Sequence, residues 1–116
     1  LWQHTCCELF VARKGTPAYR EFNFAPSGEW AAYAFERYRE GAPVQVRDPQ
    51  IAVRASPGRL ELDARVPAHG SLLLGLSAVI ESNEGLSYWA LRHPPGGPDF
   101  HHADCFVYEF SPATQP

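Results

Sequence analysis

Lysine and arginine do not cluster in this chain. Arg13-Lys14 is the one adjacent basic pair, and the formal net charge is −3. That excludes the electrostatic footprint of a nucleic-acid binder or of a protein drawn to an anionic membrane. Long apolar runs are missing too. The leucine-rich stretch Leu72-Leu73-Leu74-Gly75-Leu76 falls far short of the roughly 20 residues that span a bilayer. Methionine is absent, no leader pattern is visible, and the chain opens on Leu1. This reads as a piece of a longer protein, with the true start missing. Cysteine is scarce and odd in number: Cys6, Cys7 and Cys105. An odd count excludes a full disulfide framework. Neighbours on a strand point to opposite faces, so Cys6 and Cys7 do not pair with each other. Reduced thiols of a reducing compartment, the cytoplasm, are the simplest reading, and a bridge from Cys105 to one of the pair stays open.

Several catalytic signatures are missing as well. Ser27 sits in Pro26-Ser27-Gly28, which is no nucleophile elbow. Gly96-Gly97 lies between prolines and opens no helix, so no phosphate-cradling loop is present. There is no CxxC and no HxxxH spacing.

What remains is the composition of one globular domain. The chain has 116 residues, of which 45% are hydrophobic and 20% charged. Its 11 prolines and 9 glycines leave little room for long helices. Short alternating segments stand between turn signals every 8–12 residues or so, the pattern of a sandwich or barrel. Strands are expected over Thr5–Val11, Tyr19–Phe24, Glu29–Tyr38, Val44–Val46, Ile51–Ala55, Leu60–Val66, Leu73–Glu81, Leu86–Leu91 and Asp104–Phe110. Helix competes only at 29–40, where period 2 through Ala31, Tyr33 and Phe35 favours strand. Leu73–Ile80 is nearly all apolar and reads as a central strand buried on both faces. In Leu60–Val66, by contrast, Glu61, Asp63 and Arg65 form a solvated face.

Alternation selects the candidate site. One face of the first strand carries Trp2, His4, Cys6, Glu8 and Phe10; one face of the second carries Tyr19, Glu21 and Asn23. If the two strands pair, Trp2, His4, Glu8, Tyr19, Glu21 and Asn23 share a surface. Saccharide recognition needs aromatic faces for C–H stacking and carboxylates or amides for paired hydroxyls. This set supplies both, although a plain solvated sheet face reads the same way. Glu8 and Glu21 are also close enough in pattern for a glycosidase pair. Nothing in the sequence marks either as buried, so no catalysis is expected. Histidines give a second constellation. His93, His101 and His102 fall in one Pro/Gly-rich loop, and with His4 they are the ligands that a haem or a divalent metal would use. Asp99, Asp104 and Cys105 would be further donors for a metal. The bland alternative is that they order their loop.

Longer stretches carry a family resemblance. Trp2-Gln3-His4-Thr5-Cys6-Cys7-Glu8-Leu9-Phe10, the run Tyr19 to Trp30 followed by Tyr38-Arg39, and the closing Tyr88 to Pro94, Pro98 to His102 and Asp104-Cys105-Phe106 resemble the bacterial DOMON-like domains. These domains are related to the family 9 carbohydrate-binding modules. The resemblance implies a jelly-roll-like antiparallel β-sandwich that binds a sugar or haem without catalysis. It implies that Trp2 and Trp89 clamp a terminal sugar, that Glu8, six residues after Trp2, binds its hydroxyls, and that Arg20 or Asn23 is the polar partner. It also implies at least one further strand ahead of Trp2, and its absence would leave a sheet edge unpaired. The expectation is thus a single all-β domain over 1–116 that binds a small-molecule or carbohydrate ligand. The alternatives are a haem or metal module, and a docking domain that forms a homodimer or joins a partner protein.

Overall fold

The computed structural model describes residues 5–46, 48–66, 70–94 and 96–110. These build an all-β antiparallel sandwich of unequal layers. The strands are β1 (Cys6–Arg13), β2 (Tyr19–Phe24), β3 (Trp30–Arg37), β4 (Glu40–Pro43), β5 (Ala52–Ser56), β6 (Arg59–Asp63), β7 (Leu72–Ser82), β8 (Gly85–Ala90) and β9 (Tyr108–Phe110). One sheet of seven strands has the order β4-β3-β2-β1-β7-β8, with β9 also on β7. The β5-β6 hairpin is the second layer. Its two-residue turn, Pro57-Gly58, has Gly58 at φ +74°, a conformation that L side chains rarely adopt. At the β4 edge, Pro43 offers no ladder N–H, which blunts pairing with another chain.

The seven-stranded sheet buries both faces by different means. On one face Phe22, Phe24 and Ala32 form a cluster that the hairpin layer covers through Ile51, Leu62, Ala64 and Val66. Trp30 also packs there, as do Val44 and Val46. Val44–Val46 is therefore not the expected strand. The ladder runs over Glu40–Pro43, Val44 N–H still reaches the Ala32 carbonyl at 2.9 Å, and the chain then leaves to cover the cluster. On the opposite face Phe10, Ala12, Tyr19 and Val79 meet Phe100, Cys105 and Phe106. This cover is an irregular segment, 98–107, with a 3-10 turn at Ala103–Cys105. The expected strand Asp104–Phe110 keeps only its last part, because Cys105 and Phe106 turn down into this core.

β7 also departs from expectation. It is central, between β1 on one side and β8 with β9 on the other, yet it is not buried on both faces. The hairpin layer packs on β1, β2 and β3, and no β7 residue joins its cluster. Leu76 on β7 therefore remains 50% exposed, and Trp89 beside it on β8 63% exposed. Cys6 and Cys105 are buried and Cys7 half-buried, and all three are free thiols.

The irregular cover depends on one glycine. Gly75 faces Phe10 across the β1–β7 ladder, and a Cβ placed there would lie 2.8 Å from Phe106 Cδ1 and 3.0 Å from the Cys105 carbonyl. Neither atom belongs to a flexible chain end, so the cover would have to lift. Gly75→Ala is expected to cost about 1–3 kcal/mol, as overpacked cores do. Urea midpoints measure this, and an unchanged midpoint would mean that the cover is not seated on Gly75.

Candidate functional site

The β1–β2 register sets Glu8 opposite Asn23, Phe10 opposite Glu21 and Ala12 opposite Tyr19. Residues of alternating parity share a face, so Glu8, Glu21, Asn23 and Tyr19 stand together, as the alternation predicts. Glu8 and Glu21 are diagonal cross-strand neighbours. The face is not solvated, however. Glu8 and Glu21 are each 6% exposed and Asn23 is 3% exposed, because segment 98–107 lies over them.

Two adjacent carboxyls in so dry a place cannot both ionise cheaply. Burial, and then the neighbouring Glu21, push Glu8 up to about 8. Burial also works to raise Glu21, but the hydrogen bond and positive field of His101 outweigh it, helped by hydrogen bonds from Glu8 and Asn23. Glu21 therefore sits below its ordinary value. At neutral pH the pair holds one proton, on Glu8, and one negative charge, on Glu21. The sequence offered no sign of this burial or of the split it causes.

His101 is the hinge of the site. Its Nε2 lies 3.2 Å from Glu21 Oε1 and its Nδ1 lies 2.8 Å from the Tyr19 hydroxyl. Tyr19 in turn accepts the Arg39 backbone N–H at 3.0 Å. The simplest proton assignment has Tyr19 donating to Nδ1 and Nε2–H donating to Glu21. The edges and faces of Phe10 and Phe35 hold the imidazole, with ring centroids 5.1 and 5.0 Å away. A second tie closes the rim. Arg39 Nη2 reaches Asp99 Oδ1 at 2.9 Å, and the Tyr38 hydroxyl donates to the other Asp99 oxygen. Arg39 has φ +53°, rare for a residue with a side chain, and this backbone turns its N–H toward Tyr19.

Above the carboxyl pair lies a cleft of about 610 Å³. Tyr33 and Phe35 wall it from β3, Tyr88 from β8 and Phe100 from the covering segment. Arg39 and Asp99 sit at its mouth. Among the described residues, two buried side-chain atoms on the floor have no hydrogen-bond partner, Asn23 Oδ1 and Ser77 Oγ. They flank Glu8 on its two neighbouring strands.

Glu8, Tyr19, Glu21 and Asn23 thus come together. Trp2 and His4 lie outside the described residues. Arg20 and Trp89 lie on the opposite face: Arg20 pairs with Val11, Trp89 pairs with Ala78, and the Trp89 indole N–H donates to Ser87 Oγ at 3.0 Å. Tyr88, one residue earlier, occupies the cleft. The loop histidines do not converge. His101 is held by Tyr19 and Glu21, His102 accepts Asp104 N–H through Nδ1 and caps the 3-10 turn, and His93 packs against Phe100. Among the described residues no three His, Cys, Asp or Glu side chains are grouped as metal ligands. The sequence reading missed Tyr33, Phe35, Tyr88, Phe100, Arg39, Asp99 and Ser77 as site residues. Period 2 along β3 marks Tyr33 and Phe35 as one face, but not which face. Comparison with known families, with curated proteins and with solved structures gives no match.

Stability should carry the signature of Glu8. Its folded pKa lies above its ordinary 4.5, so the folded chain keeps a proton that the unfolded chain gives up. The stability this proton supports is complete below about pH 4.5 and is lost as pH rises toward and through about 8. Glu21 acts oppositely: its contribution is present above its ordinary value and is lost as pH falls through its lowered one. Glu8→Gln should abolish the alkaline decline, a difference on the order of a few kcal/mol. Denaturation midpoints between about pH 5 and pH 9 measure it. Parallel declines in both proteins would contradict the assignment.

Proposed function

We propose that this domain is a non-catalytic binding module, and that its cleft takes a saccharide or a sugar-containing metabolite. The observation that carries the reading is the singly protonated Glu8–Glu21 pair at the floor of a cleft with aromatic walls on both sides. Such a floor offers an O–H donor, a carboxylate acceptor and an amide within one patch, and ring hydroxyls both donate and accept. Tyr33, Phe35 and Tyr88 supply the apolar faces that C–H bonds of a sugar ring stack on. The resemblance to DOMON-like and family 9 carbohydrate-binding domains points the same way. Its Trp89 clamp does not fit the cleft, whose second wall is Tyr88.

The carboxyl pair itself argues against glycoside hydrolysis. Glu8 and Glu21 are hydrogen-bonded to each other. The two carboxyls of a glycosidase stand roughly 5–5.5 Å apart, or roughly 6.5–9.5 Å with a water between them. Glu21, the ionised member, is a weaker base than an ordinary carboxylate, whereas a general base works best near the operating pH.

A thermal-shift panel of mono- and disaccharides tests the proposal. Saturation at a hundredfold over Kd should stabilise by about 2.7 kcal/mol. The shift should vanish in Tyr33→Ala and in Glu21→Gln and persist in Trp89→Ala. Loss in Trp89→Ala with retention in Tyr33→Ala would move the site to the opposite face, and silence across the panel would end the proposal. A second reading, docking onto a partner protein or a second copy, draws on the exposed apolar side chains Leu76, Trp89 and Leu91. It calls for a concentration-dependent mass in light scattering.

A further inference from the structure

The floor of the cleft has an imbalance that a neutral sugar does not satisfy. Its donors are already used. His101 Nε2 is spent on Glu21, and the Arg39 guanidinium on Asp99 and Tyr38. The Glu8 proton is spent on Glu21. Spare acceptors remain. Asn23 Oδ1 is buried without a partner on the same face as the pair, directly opposite Glu8, and the Asn23 amide is hydrogen-bonded to Glu21. Ser77 Oγ, opposite Glu8 on β7, is in the same condition. If Glu8 also gives up its proton, both carboxyls turn their oxygens to one point. A group that only donates, and donates three times, meets that demand: a primary ammonium has three N–H bonds and no lone pair. A hydroxyl offers one donor and brings lone pairs of its own. An acetamide offers one donor and a carbonyl that would face acceptors. The walls agree, because Tyr33, Phe35 and Tyr88 present π-systems that attract a cation.

We propose that the sugar this site takes is an amino sugar, whose protonated amine sits between Glu8, Glu21 and Asn23. The inference rests on the saccharide reading and narrows its ligand class. The binding step is an exchange of one cation for another. The ammonium enters with its proton retained, the Glu8 carboxyl releases its proton to solvent, and the pair changes from one negative charge to two. The Glu21 lone pair that accepted from Glu8 then accepts from the ammonium. The other charged groups facing this spot do not supply the missing cation: Arg39 is neutralised by Asp99, and His101 already donates to Glu21.

Isothermal titration calorimetry on the whole chain tests this with nine probes: glucosamine, galactosamine and mannosamine, each beside its parent hexose and its N-acetyl derivative. The expected result near neutral pH is at least one hexosamine binding about tenfold tighter than its parent hexose, with the N-acetyl form weakest. Repeating the titration in buffers of different ionisation heat should show about one proton released per hexosamine bound. That readout needs no variant. In Glu8→Gln the proton release should disappear and the hexosamine preference should fall to roughly the level of the parent hexose. Equal affinity for hexosamine and hexose overturns the amine inference and leaves the saccharide reading standing. A preference without proton release, or one that survives in Glu8→Gln, places the amine elsewhere and also overturns it. No binding by any of the nine overturns both.

Discussion

Burying two carboxyls side by side on one sheet face is the constraint around which this domain is arranged. Water is the ordinary solvent for such groups, and removing it is costly unless the charge is reduced and the remainder is hydrogen-bonded. Here one proton on Glu8 halves the charge, and His101, Asn23 and Glu8 supply donors to Glu21. His101 comes from the covering segment, so the interaction that satisfies Glu21 also pins the cover to the sheet. Tyr19 fixes the far side of the imidazole and the backbone of Arg39, and Arg39 reaches over to Asp99 on the same cover. The polar network is therefore a fastening for the cover as well as a binding surface.

The two faces of the seven-stranded sheet show why the site lies where it does. The β5-β6 hairpin layer covers its face with apolar side chains and presents no polar group to a ligand there. Segment 98–107 has little regular structure, and its cover is incomplete: Phe100, Cys105 and Phe106 seal one end, while the cleft stays open above Glu8 and Glu21. Binding residues concentrate on irregular segments held by a rigid scaffold, because there the chain can present groups without breaking a ladder. Gly75 is the scaffold's concession, the one β7 position where a side chain would collide with the cover.

Much of this was legible in the sequence. Turn residues at regular spacing marked the strands, and the structure has nine among the described residues. Alternation put Glu8, Tyr19, Glu21 and Asn23 on one surface before any register was known. What it could not give was the other side of that surface. Whether a polar face meets water or protein depends on a segment 75 or more residues away, and 98–107 carries no strand signal to announce that it packs. The same limit hid the role of His101, which looked like one of three loop histidines and is the only one of them tied to the carboxyl pair. Trp89 and Tyr88 differ by one position, and parity relative to Glu8 decides between them. That parity passes through the β1–β7 and β7–β8 registers, which turn geometry sets and hydrophobic pattern alone does not. The expected two-sided burial of β7 failed for a related reason: the second layer is one hairpin wide, and strand composition does not report the width of the opposing layer.

The central claim is that Glu8 and Glu21 hold a single proton between them at neutral pH. Carbon-13 NMR of the side-chain carboxyls, assigned with Glu8→Gln and Glu21→Gln, measures this directly. The account predicts that one carboxyl titrates near 8 and the other below the ordinary 4.5, with the first signal lost in Glu8→Gln. Two carboxyls titrating together close to 4.5 would show a solvated pair and contradict it.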